Sequence, residues 1–134
     1  VVHGFMHRYR TPHRLPAWAN EGLAEYYSSV VFRNTDLDRE RRSTSVAFIR
    51  RGGDLNGVLD MMYEDEMPPQ RARLAAAVGA LVIEVMIREQ PDRFARWVNA
   101  VKDGKDWEKA LTEDFGVPRA ALLETVKRYY QVND

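Results

Sequence analysis

The fold is decided by one stretch, Pro69-Gln70-Arg71-Ala72-Arg73-Leu74-Ala75-Ala76-Ala77-Val78-Gly79-Ala80-Leu81-Val82-Ile83-Glu84-Val85-Met86-Ile87-Arg88-Glu89. From Leu74 to Ile87 it is apolar except for Gly79 and Glu84. Proline is favoured at the first position of a helix, where its missing N–H would have found no partner. Pro69 therefore marks a helix start. A membrane-spanning helix takes about 20 apolar residues; this run is shorter, and Arg71, Arg73 and Arg88 flank it closely. The stretch predicts a long central helix, reaching about Glu89, that is buried by neighbouring elements and spans no membrane.

Working upstream, the acidic segment Tyr63 to Pro69 ends in two prolines and reads as a loop. Asp54 is placed to cap a short helix through Met62. Ser43 to Arg51 predicts another short helix, stopped by Gly52-Gly53. Asn34 to Arg42 is polar and charged and reads as a solvated turn or a helix start. Its Asp36 and Asp38 lack the remaining ligands of a calcium loop. Ala17 to Val31 carries an apolar stripe of Trp18, Leu23, Ala24, Tyr27, Val30 and Val31 and reads as helix. A first helix is expected over residues 1–9, ended by Thr11-Pro12, with Pro16 keeping the next residues extended.

Downstream, Pro91 opens a helix through Phe94, Trp97, Val98 and Val101 that Gly104 stops. Trp107, Ala110, Leu111 and Phe115 predict the next helix, ended by Gly116. Pro118 starts the last one, with Leu122, Leu123, Val126, Tyr129 and Tyr130 facing inward. No segment alternates with the two-residue period of a strand. The expected fold is mainly α, a single helical domain over 1–134 with about six or seven helices, its helical remainder running over 43–131.

The chain has 134 residues, 20 basic and 20 acidic side chains and no cysteine. Disulfides and thiolate metal sites are excluded. Zero net charge argues against nucleic acid as a partner, since phosphate binding needs a positive field. The chemistry-bearing residues gather near the start. His3 and His7 lie four apart, so on a helix their imidazoles share one face and can converge on a metal ion. Glu21 and Glu25 repeat that spacing on the next predicted helix, and each carboxylate could ligate the metal or orient an imidazole through its second nitrogen. A catalytic zinc site uses three protein ligands and an open position for water. A ligand-bearing helix so close to a chain end would fray, so the chain is expected to be a piece of a longer protein.

Leu15-Pro16-Ala17-Trp18 followed by Asn20-Glu21-Gly22-Leu23-Ala24-Glu25-Tyr26-Tyr27 resembles the second metal motif of gluzincin metallopeptidases, most closely the peptidase-MA-like bacterial domains. The resemblance is dense over residues 3–27 and looser over the helical remainder. It implies a zincin-like helical subdomain whose upstream β-sheet is missing here. It implies Zn2+ held by His3, His7 and Glu21, with Glu25 as the partner of a ligand. It implies a peptide or protein substrate hydrolysed through zinc-activated water, and a bacterial envelope or secreted location.

This sequence departs from that family at Gly4. The motif His-Glu-x-x-His places the general base directly after its first histidine, and here that position has no side chain. Loss of a general base typically costs about 10²- to 10⁴-fold in rate. The expectation is thus an impaired or inactive metallopeptidase-like domain; the alternative is a pseudopeptidase serving as a helical protein-interaction module. Tyr63 and His13 could stabilise an oxyanion only by residue type. Gly22 is expected to permit close helix packing beside the site, and Trp18, Trp97 and Trp107 to lie in the core. Arg39, Arg41 and Arg42 read as a solvated face rather than a binding patch.

Overall fold

The structure, a computed structural model, describes residues 15–31, 36–61 and 68–132. It is mainly helical: among the described residues there are seven α-helices and no strand. They are α1 (Ala17–Val31), α2 (Asp36–Arg50), α3 (Leu55–Leu59), α4 (Pro69–Glu89), α5 (Pro91–Lys102), α6 (Trp107–Ala110) and α7 (Arg119–Val132). A single π-helical turn, Leu111–Phe115, follows α6. The expected first helix over 1–9, with His3, Gly4 and His7, lies outside the described residues, as do His13 and Tyr63. No helix among the described residues is long and apolar enough to cross a membrane.

α4 is the central element that its composition predicts. Val78, Leu81, Val82, Ile83, Val85 and Met86 are all buried. Each such side chain removed from water contributes about 1.5–3 kcal/mol, so a helix buried this completely sets the positions of the others. α1 crosses it at a point with no side chains between the two backbones. A Cβ built on Gly22 would lie 2.5 Å from the Gly79 carbonyl carbon, and one on Gly79 would lie 2.6 Å from the Trp18 carbonyl oxygen. Both distances are far inside van der Waals contact, so only glycine fits at either position. Gly79, which interrupts the apolar run, is thus the counterpart of Gly22.

At the other end of α1's buried face, Trp18 is fully buried against Trp97 and Trp107, with ring centroids 5.8 Å and 5.6 Å away. The Trp97 indole N–H donates to the Trp107 carbonyl oxygen at 3.0 Å. Trp18 and Trp97 belong to the core as expected. Trp107 is only half-buried and lies under the Arg119 guanidinium, 4.9 Å from its ring centroid. Arg119 also pairs with Asp60 at 2.8 Å and Glu108 at 2.5 Å, joining the ends of α3, α6 and α7.

Three boundaries differ from the sequence reading. α2 begins at Asp36 rather than Ser43. Its opening turns lack an apolar stripe, and Arg41 and Arg42 within them are instead met by acids on other helices. α3 stops at Leu59, three residues short of Met62; Asp54 caps it through a bond from the Gly57 N–H. The helix expected from Trp107 to Gly116 changes its winding midway. The Gly116 N–H reaches the Leu111 carbonyl five residues back, at 2.9 Å, and Gly116 takes a left-handed φ of 98°. The wider turn lets both Leu111 and Phe115 be buried.

Candidate functional site

Helix α1 carries Glu21 and Glu25, the two acids of the expected second motif. It forms because Pro16 precedes it and accepts the first bonds, from the Ala19 and Asn20 N–H groups at 3.0 and 2.9 Å. Glu21 and Glu25 follow one turn apart, on either side of the Gly22 contact, and both are half-buried. The backbone-to-backbone crossing with α4 leaves α1 little freedom to slide or rotate, so the two carboxylates are presented from a fixed rail. Glu25 is met from α2: Arg41 Nη1 donates to its Oε1 at 3.0 Å. A carboxylate has two oxygens and about four acceptor sites, so this bond leaves capacity for an imidazole N–H. Among the described residues no three His, Asp or Glu side chains converge as a metal-binding group, while both expected imidazole ligands, His3 and His7, lie outside those residues.

Two of the three arginines read as a solvated face also pair with acids on other helices. Arg41 and Arg42 point across to α1 and α4, and Arg39 pairs with Asp36 on its own helix. Arg42 Nη1 donates to Glu84 Oε2 at 3.0 Å, and Arg88 Nη2 lies 3.3 Å from Glu84 Oε1. The Tyr130 hydroxyl also donates to Glu84, at 2.5 Å, and lies 3.2 Å from the Leu81 carbonyl. Burial is the main cause, and the Glu84 carboxylate the next, that pushes the Tyr130 phenol above its ordinary value; it therefore keeps its proton and donates. Burial works against the Arg42 charge, but the attraction of Glu84 outweighs it and raises that guanidinium's pKa.

α1, α2 and α4 thereby line a cavity of about 240 Å³ that is open to solvent. Glu25, Arg39, Arg41 and Arg42 line it, with the buried Glu84 at its deep end. Ala77, Ala80 and Leu81 make an apolar floor. A signal for the deep end was present in the sequence: a lone glutamate in an otherwise apolar helix is rarely buried without a partner. The identity of its partners, 42 residues back and 46 ahead, was not. Comparison of the chain with protein-family models, curated proteins and solved structures finds no match.

Proposed function

We propose that this chain is a zinc-metallopeptidase-like domain whose opening motif lacks its proton-transfer group. One observation carries the reading. Glu21 and Glu25 stand one turn apart on a helix locked by backbone contact to the buried α4, which suits a ligand-bearing segment that must hold its carboxylates in register. Two imidazoles and a carboxylate are a donor set that zinc accepts, with a fourth position left over. In this reading His3, His7 and Glu21 hold the ion, and Glu25, steadied by Arg41, orients one imidazole. Zinc bound there would supply a Lewis acid and a water with a pKa of about 7. Gly4 offers nothing to take a proton from such a water or deliver it to a leaving amine.

The second reading, a non-catalytic helical module, is favoured by that same Gly4. Metal analysis of the purified chain, with His3→Ala and Glu21→Ala beside it, tests the site: one zinc per chain is expected, lost in both variants. Peptide hydrolysis is then measured before and after Gly4→Glu. Under the first reading activity rises by about 10²- to 10⁴-fold in the restored protein. A zinc-loaded Gly4→Glu protein with no hydrolysis supports the interaction module. A wild-type chain that takes up no zinc, with His3→Ala indistinguishable from it, ends the metal reading.

A further inference from the structure

We propose that the cavity between α1, α2 and α4 binds a carboxylate carried by a peptide, either its C-terminal group or an acidic side chain. Arg41 and Arg42 each meet their acid through Nη1. A guanidinium presents five N–H donors in a planar fork that matches a carboxylate edge. Three guanidiniums line the cavity, Arg39, Arg41 and Arg42, against the two carboxylates of Glu25 and Glu84, and outside the lining Arg88 also pairs with Glu84. Tyr130 adds a neutral donor to that carboxylate. Glu84 thus serves to hold Arg42 in place while the local excess stays positive.

The cavity's dimensions narrow the occupant. The cavity holds about 240 Å³, room for one small group, and a neighbouring hollow of about 750 Å³ that shares Arg41 and Ala77 leaves space for the rest of a longer molecule. The apolar floor of Ala77, Ala80 and Leu81 strengthens any ion pair made above it by keeping water away on that side. Glu25, which lines the cavity, is one helical pitch, about 5.4 Å, from Glu21. A chain with its carboxylate among the arginines would therefore lie about one helical turn from Glu21. Naming a peptide as the carrier rests on the metallopeptidase-like reading; the preference for a carboxylate does not.

Calorimetric titration of the full chain tests this with acetyl-trialanine bearing a free carboxylate, acetyl-Ala-Glu-Ala amide, acetyl-Ala-Gln-Ala amide and inorganic phosphate. One or both carboxylate peptides should bind at least tenfold more tightly than the glutamine amide, and which of them does so identifies the source of the carboxylate. Arg41→Ala and Arg42→Lys should each erase most of that preference, while Arg96→Ala, on the exposed side of α5, keeps it. Arg42→Lys leaves a cation beside Glu84, so a thermal melt close to wild type shows that lost binding is not lost folding. Equal binding of the glutamine amide, or a preference that survives both variants, overturns the inference. So does phosphate binding more tightly than either carboxylate with the same variant sensitivity. Zinc analysis on the same samples separates the two ideas: a carboxylate preference in a chain that takes no zinc keeps the cavity and removes the peptidase assignment, and zinc without the preference does the reverse.

Discussion

Helix α4 meets its neighbours in two opposite ways. Toward α1 it presents Gly79, and the helices touch backbone to backbone with no side chain between them. Toward α2 and α7 it presents Glu84, which gathers two guanidiniums and a phenol. The first contact depends on shape and tolerates nothing added. The second depends on charge and hydrogen bonding, with guanidiniums that reach solvent, so it should weaken by degrees. A helix can thus hold one neighbour in strict register and another more loosely, and the candidate metal motif lies on the strict side.

The sharpest way to break this comparison is Gly22→Ala. Helix propensity alone predicts a gain of about 1 kcal/mol. The contact with the Gly79 backbone predicts a loss of about 3 kcal/mol, at the upper end for overpacking, because no side chain can move aside. Urea denaturation decides the sign, and a stabilised variant would refute the shape argument. Glu84→Ala comes next, with an expected cost of about 2 kcal/mol. A partner removed from a fully buried pair costs about 3–5 kcal/mol; here Arg42 and Arg88 keep side-chain exposures of 50% and 60% and can be resolvated.

Tyr130→Phe should cost about 1 kcal/mol, the net value of one hydrogen bond, and it sharpens the comparison through pH. The folded phenol titrates above its unfolded value near 10. Its contribution is fully present below about pH 10 and declines above it, because the unfolded chain loses the proton first. Melting temperature followed from pH 8 to 11 should therefore fall more steeply in the wild type than in Tyr130→Phe; parallel profiles would show that the phenol's proton is not tied to folding. The smallest effect is expected from Arg41→Ala, about 0.5 kcal/mol for a partly exposed pair. A cost several times larger in the same denaturation series would mean that the α1–α2 contact is as strict as the glycine crossing.

What could be read in advance follows the same division. The apolar run 74–87 and the prolines and glycines bounding α4, α5 and α7 act locally, so the helices were legible in the chain. Gly22 was legible as a close-packing residue because it sits inside an amphipathic helix, yet its counterpart Gly79 passed for a mere interruption. The cross-helix pairs of Arg41 and Arg42 were not legible, because nothing in a run of charges reveals that two of its members turn toward acids 16 and 42 residues away. The early start of α2 was obscured for the same reason. The π-helical turn at Leu111–Phe115 was hidden because it serves the burial of two particular side chains, and no local pattern encodes an extra residue per turn. For the candidate site, the spacing of Glu21 and Glu25 was visible and their helix is present, while the arginine-lined cavity beside them arises only from packing three helices.

The paired glycines also constrain how this protein can change. A substitution in an ordinary core is often rescued by trimming the residue opposite. At the α1–α4 crossing the opposite residue has no side chain left to trim. A genetic suppressor of a Gly22 variant would have to act elsewhere, by letting the whole of one helix tilt away from the other. Drift at either position is therefore closed off to single compensating steps, and the geometry of the acid-bearing helix is inherited along with it.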